Sequence, residues 1–235
     1  MGSAEFPPYF LSKQTHIALA GNTLFLLDEA SGKYLSLPRE SAACLSTHIL
    51  GWPIVSDRCT PPPILRALID KGLVTNDPAH GKSAIPAKVS LPMTWLRDGQ
   101  PRGRPQFKIV DIYRFFVSVG YAVLSKRLLH FRKIVSLADK SRKSAPPAGS
   151  VSIESLAALV RIFDWLRPFA FKKTDECFLY CWALSRFLGK YGIYPSWVFA
   201  VQEQPFAAHC WLQHESYVLT DIPFNLRRMT PILVI

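Results

Sequence analysis

Three residues in the C-terminal part of the chain have the types and spacing that covalent chemistry needs: Cys177, His209 and Asp221. A thiol becomes a strong nucleophile when a base takes its proton, and the base works best when a third group fixes its tautomer and orientation. A cysteine, then a histidine, then an aspartate supplies those three roles in chain order. The reaction class they point to is attack on a peptide-type carbonyl through a thioester intermediate.

The elements that must position them can be read from pattern. Thr174 or Asp175 is a suitable N-cap, which puts Cys177 in the first turn of a helix. Cys177, Tyr180, Cys181, Leu184 and Leu188 recur at helical spacing, and Gly189 and Gly192 supply the stop. Amide N–H groups at that end favour a thiolate and can hold a developing oxyanion. Ala208–Gln213 and Tyr217–Asp221 read as two strands joined at His214-Glu215-Ser216. A three-residue loop sets Gln213 opposite Tyr217, Trp211 opposite Leu219 and His209 opposite Asp221, with Cβ atoms roughly 4.5–5.5 Å apart. An even-length loop would make the His–Asp pair diagonal. Cys181 and Cys210 lie on apolar positions and read as core. Cys177, Cys181, His209 and His214 imitate a zinc set, but the two histidines are five positions apart and fall on opposite faces of a strand, so no metal site is expected.

The motifs of this region carry a family resemblance. C-F-L-Y-C-W-A-L, L-G-K-Y-G-I, V-F-A-V, Q-P-F-A-A-H-C-W-L and V-L-T-D resemble the transglutaminase-like cysteine peptidases of lasso-peptide biosynthesis, the microcin-processing leader peptidases among them. The likeness is best over residues 150–235, and Pro205–Trp211 is its most specific block. It implies that the catalytic cysteine, histidine and aspartate are Cys177, His209 and Asp221. It also implies a transglutaminase- or papain-like domain, a catalytic helix packed on an antiparallel sheet, with no cofactor. Three departures stand out: Ala200-Val201 where Gly-Val is usual, Cys210 where Ala is usual, and Thr220 where Asn is usual before the aspartate. None removes a triad member.

The N-terminal part reads as a small α+β domain over residues 9–76. His16–Ala20 and Thr23–Asp28 flank the hairpin signal Gly21-Asn22, and Lys33–Leu37 gives a third strand. Pro38–Leu50 and Pro62–Lys71 read as helices, the second ended by Gly72. Three strands followed by helices is a winged-helix-like plan. Residues 1–80 carry six basic and seven acidic side chains, so the footprint of a nucleic-acid binder is missing. F-L-L-D-x-x-x-G-K-Y-x-x-L resembles the recognition element of peptide-modifying enzymes, the fold of the pyrroloquinoline-quinone peptide chaperone. That resemblance implies a leader peptide added as a strand beside Lys33–Leu37, against Tyr34, Leu35 and Ser36, and packed on Leu65, Leu68 and Ile69.

Residues 77–105 are rich in Pro and Gly and read as a linker to a domain spanning 106–235. Gln106–Arg132 reads as one long helix with Ile109, Ile112, Tyr113, Phe116, Val119 and Leu124 as its apolar positions; Ser152–Leu166 reads as another. Arg97–Lys143 holds twelve Lys or Arg and three Asp, which is nine of the chain's eleven net positive charges. Such a segment is a solvated face or a dock for an acidic partner. Five cysteines without CxxC spacing suit a reducing cytosol. No signal peptide is evident, and the longest apolar run, Phe115–Leu124, is too short to span a bilayer.

Together these readings give a leader-binding domain followed by a leader peptidase in the cytoplasm. The resemblance further implies a precursor-peptide substrate and an ATP-dependent, asparagine-synthetase-like cyclase as partner. The competing readings are a transglutaminase-type acyltransferase, a non-catalytic peptide carrier and a winged-helix binding protein.

Overall fold

The computed structural model describes residues 9–54, 63–90, 93–98, 103–144, 152–171 and 177–235. The chain is mixed α+β and divides into two compact units. One holds residues 1–88 with 200–208 and 229–233; the other holds 89–199 with 209–228 and 234–235.

The first unit begins with β1 (Phe10–Ser12), β2 (Thr15–Ala20), β3 (Thr23–Asp28) and β4 (Lys33–Pro38). Strands β2, β3 and β4 form an antiparallel meander in that order, so β4 lies at an edge. Gly21-Asn22 makes the two-residue turn expected from the sequence, with Ala20 opposite Thr23 and Gly21 at φ 58°. Helix α1 (Arg39–Ala43) is much shorter than the Pro38–Leu50 helix expected. A pairing outside the helix ends it. Tyr9 donates its amide to His48 O and accepts from Leu50 N, and the Trp52 indole takes Ala42 O at 2.8 Å. Those bonds draw residues 44–52 into turns.

Helix α2 (Pro63–Asp70) closes as Gly72 dictates. Gly72 N donates to Ile69 O and Leu73 N to Leu68 O, with Gly72 at φ 69°. Leu68 and Leu73, on either side of this cap, are both buried. The stretch read as a linker carries β6 (Gly81–Lys82), which follows β5 (Val74–Thr75) and joins a second small sheet in the order β5-β1-β6. Leu11, Ile17, Leu24, Leu26, Leu45, Ile49, Leu68 and Leu73 form the core of this unit.

The second unit contains β7 (Thr94–Trp95), also inside the stretch read as linker, then α3 (Ile109–Leu128), α4 (Phe131–Lys143), α5 (Ile153–Leu166) and α6 (Cys177–Gly189). The expected 106–132 helix is therefore two helices. Leu129 and His130 are extended, and Phe131, which opens α4, rests on Phe178 and Phe199 at 5.8 and 5.5 Å. That aromatic seat turns the chain. Ser152 caps α5 by accepting from Ser155 N, and Leu156, Val160 and Phe163 face the core.

Helix α6 is buried on nearly every side, from Tyr180 through Leu188. It stops at Gly192, at φ 77°, whose amide bonds Gly189 O while Ile193 N bonds Leu188 O. After it come β8 (Ser196–Gln202), β9 (Ala207–His214), β10 (Tyr217–Val218), α7 (Pro223–Leu226) and β11 (Thr230–Val234). The five-stranded sheet runs β11-β8-β9-β10-β7. Trp182 of α6 stacks on Trp197 of β8, with ring centroids 5.7 Å apart and planes 7° from parallel. This fixes the helix against the sheet. No helix among the described residues is long and apolar enough to cross a membrane.

Gly72 offers a clean test of the cap that ends α2. A methyl group there meets no atom within 4 Å, so only the left-handed backbone resists substitution. Gly72→Ala should lower unfolding stability by about 1 kcal/mol in urea titration. An unchanged midpoint would contradict the assignment.

Candidate active site

Cys177 stands at the described N-terminal end of α6; its suggested N-caps, Thr174 and Asp175, lie outside the described residues. His209 is on β9 and Asp221 follows β10. His209 Nε2 lies 2.6 Å from Asp221 Oδ2, which leaves Nδ1 as the ring nitrogen for another partner. A side-chain interaction links His209 to Cys177, lowering the pKa of the thiol and raising that of the imidazole. The three residues named from the sequence are thus brought together in one unit.

The route to the His–Asp pair differs from the one expected. The β9–β10 turn has two residues, Glu215-Ser216, with Tyr217 opposite His214 and Val218 opposite Gln213. Glu215 takes φ 52°, a conformation rare for a residue with a side chain, and this is what shortens the loop. The register therefore slips by one, and a continued ladder would not set His209 opposite Asp221. The strand ends instead. Leu219 N still bonds Leu212 O, but the amide of Leu212 donates to the Thr220 hydroxyl at 3.0 Å. A side chain thus takes the place of a ladder carbonyl at the point where the chain leaves the sheet. Asp221 sits beyond this point and reaches the imidazole.

Two further groups fix the carboxylate. Ile222 N donates to Asp221 Oδ1 at 2.6 Å, and Asn225 Nδ2 donates to the same oxygen at 3.2 Å. Burial pushes the Asp221 carboxyl up, but the bonds from His209, Ile222 and Asn225 outweigh it and hold the pKa below the usual value. Asn225, four residues on in the short helix α7, was not identified from the sequence. His209 is pushed up to about 9, first by Asp221 and then by Cys177, against the opposing effect of burial. Trp211 lies beside the imidazole with ring centroids 6.5 Å apart.

The thiol has a neighbour that pattern reading assigned to the core. Cys210 Sγ lies 3.7 Å from Cys177 Sγ. Cys177 is pushed up to about 12, first by Cys210 and next by burial, with His209 pulling the other way. Cys210 and burial thus favour the neutral thiol, while Asp221 favours the charged form of the imidazole. Cys181, one turn into α6, is fully buried and turns its sulfur to Cys210 O at 3.4 Å, in keeping with the core role read from the sequence.

The residues implied as leader contacts fall into two groups. Tyr34 and Leu35 line a groove of about 320 Å³ beside the edge strand β4, together with Leu26, Lys33, Lys71 and Leu73. Ser36 is exposed on the same strand. Leu65 and Leu68 are core residues, 7% and 1% exposed, and Ile69 is half-buried against that core. The apolar periodicity of α2 thus packs Leu65 and Leu68 into the core of the first unit.

Two measurements test this arrangement. Removing Cys210 removes the largest cause of the raised thiol pKa, so Cys210→Ala should speed alkylation of Cys177 by iodoacetamide at pH 7.5. Each pKa unit recovered raises the thiolate fraction about tenfold. An unchanged or slower rate would contradict the role given to Cys210. The raised pKa of His209 also links stability to pH: its contribution is complete below 6.5 and is lost as pH rises through about 9. Urea midpoints should fall between pH 7 and 10 in the parent, and this fall should be smaller in Asp221→Asn.

Residues 115–234 match the Transglutaminase-like superfamily, a span of slightly more than half the chain. No curated protein and no solved structure matches. With the matched span reaching from within α3 to β11 and containing Cys177, His209 and Asp221, the chain belongs to the Transglutaminase-like superfamily.

Proposed function

We propose that this protein is a cysteine peptidase that captures the leader of a ribosomal lasso-peptide precursor and cuts the leader–core bond. The observation that carries the reading is the His209–Asp221 bond of 2.6 Å on an imidazole coupled to Cys177. Members of the superfamily are cysteine proteases or acyltransferases, and this side-chain set serves either chemistry.

In the proposed reaction the Cys177 sulfur attacks the scissile carbonyl and His209 takes the thiol proton. The imidazolium, held by Asp221, gives that proton to the leaving core amine, which leaves a thioester on Cys177. Water, deprotonated by His209, then releases the leader and restores the thiol. The freed core amine is the group that an ATP-dependent, asparagine-synthetase-like cyclase would join into a macrolactam.

The first unit supports the capture half of the reading. Strand β4 is an edge strand, and the groove beside it is lined by apolar Leu26, Leu35 and Leu73 and by the charged residues Asp28, Lys33 and Lys71. An added peptide strand would gain main-chain bonds from the edge and side-chain contacts from the groove. The winged-helix-like recognition domain over residues 9–76, the linker and the catalytic domain over 106–235 are part of the same proposal, as is a cytoplasmic site of action.

Incubation of the purified chain with its precursor should give separate leader and core fragments by mass spectrometry, and Cys177→Ala should abolish them. Cleavage at the parent rate by Cys177→Ala would end the peptidase reading. A product joined to an added amine, without free leader acid, would favour an acyltransferase. The pH profile follows from the site. His209 must lose its proton before it can take one from the thiol, so kcat/KM should climb through an acid limb near pH 9. A rate already level from pH 6 to 9 would instead mean a preformed thiolate–imidazolium pair.

A further inference from the structure

Three thiols cluster where α6 meets β9, all of them in the second unit. Cys177 and Cys181 stand one helical turn apart on α6, and Cys210 faces both from β9. Cys177 Sγ lies 3.7 Å from Cys210 Sγ, and Cys181 Sγ lies 3.4 Å from Cys210 O. Among the described residues no group of three His, Cys, Asp or Glu side chains is placed to hold a metal ion. The chemistry open to two thiols in contact is the formation of a sulfur–sulfur bond.

The thiols differ in access to solvent. Cys177 is half-buried, whereas Cys210 is 3% exposed and Cys181 is fully buried. A small oxidant arriving from solvent therefore meets Cys177 first, with Cys210 already in contact with it. A disulfide needs about 2.05 Å between its sulfurs, so this pair has to close by roughly 1.7 Å. That movement is on the scale of side-chain rotations rather than of backbone shifts. A second observation concerns the Cys210 sulfur itself. Cys177 first, and to a smaller extent the Trp197 indole, stabilise negative charge on it; Cys181 and burial oppose this and prevail, so the thiol is neutral at rest. Trp197 Nε1 is buried and has no hydrogen-bond partner among the described residues. Orphaned buried N–H groups are rare, and this one acts on a sulfur that must gain electron density when it attacks.

We propose that Cys177 and Cys210 form a reversible oxidation site, in which Cys210 captures a peroxide-oxidised Cys177 as a disulfide. The oxidant is hydrogen peroxide. In the first step the Cys177 sulfur attacks one peroxide oxygen. An S–O bond forms, the O–O bond breaks, and the thiol proton leaves with the released hydroxide as water. In the second step the Cys210 sulfur attacks the sulfenic sulfur. An S–S bond forms, the S–O bond breaks, and the Cys210 proton leaves with that hydroxide as a second water. Two thiols and one peroxide thus give one disulfide and two waters. Cys177 is stopped short of the irreversible sulfinic acid, and a dithiol reductant returns both thiols. The first step is slow while Cys177 is a neutral thiol. The second makes the oxidation that does occur reversible. This inference rests on the contact between two sulfurs and does not depend on the proposed peptidase reaction.

The test is exposure of the full chain to excess hydrogen peroxide at pH 7.5, removal of the peroxide, and peptide mapping with and without dithiothreitol. The parent should yield a linked peptide pair carrying Cys177 and Cys210, lighter by two hydrogens than the reduced pair. Labelling of Cys177 by iodoacetamide should be lost, and dithiothreitol should restore it. In Cys210→Ser the same exposure should leave Cys177 heavier by two or three oxygens, beyond rescue by dithiothreitol. Dimedone present during exposure, which caps sulfenic acids, should label Cys177 in that variant and not in the parent. Cys181→Ala should form the Cys177–Cys210 link as the parent does. The map of the parent chain decides the matter should Cys210→Ser fail to fold. Three outcomes would overturn the inference. One is a Cys177 that peroxide leaves fully open to iodoacetamide. Another is a parent chain with sulfinic Cys177 beside a free Cys210. The third is a disulfide that joins Cys210 to Cys181 and leaves Cys177 out.

Discussion

A single hydrogen bond, between an imidazole on β9 and a carboxylate just past β10, organises the candidate site. With Asp221 on Nε2, the His209 ring is held in one orientation and its other nitrogen is left for the thiol. For that bond to form, the chain must leave the sheet at the right residue. The Thr220 hydroxyl arranges this by accepting the Leu212 amide in place of a backbone carbonyl. Ile222 and Asn225 then hold the second carboxylate oxygen, so the acid cannot swing away from the ring. The position usual for Asn in the resembled peptidases is here a hydroxyl residue with a definite structural task.

The electrostatics around the sulfur set the terms of reactivity. Helix α6 carries Cys177 at its start, and its Phe178 and Trp182 pack on Trp197 of the sheet. Burial there disfavours a thiolate, and the Cys210 thiol 3.7 Å away disfavours it further. The His209 side chain and, to a smaller extent, the Cys210 backbone pull the other way through hydrogen bonding. A resting site with a protonated sulfur is protected from oxidation, since the thiolate is the reactive form. Proton transfer to His209 then becomes part of the reaction rather than a property of the free enzyme.

Much of this was legible in the sequence, and the failures have physical causes. The two hairpin strands of the first unit and the glycine stops at Gly72 and Gly192 follow from local backbone chemistry, and the structure shows them. Cys177, His209 and Asp221 were legible as a group because a helix and two neighbouring strands can hold only a few arrangements. The register between β9 and β10 was not legible, because it turns on a positive φ at Glu215 that nothing in a glutamate announces. Cys210 is buried as its apolar position implied, but its approach to Cys177 was not legible, because strand alternation sends it to the face opposite His209. Of the apolar positions named on α3, Val119 is buried while Ile109, Tyr113, Phe116 and Leu124 are exposed, because Asp111 and Ser125 turn inward to partners far along the chain. Likewise α1 was cut short by Tyr9, which no local window includes.

The proposed chemistry turns on a covalent bond to one sulfur, that of Cys177. Acid quenching during turnover of the precursor, followed by intact-mass analysis and peptide mapping, tests that claim most directly. The account predicts an enzyme species heavier by the leader acyl group, with the adduct on Cys177 and absent from its alanine variant. Turnover with no adduct at any quench time, or an adduct on another residue, would contradict it.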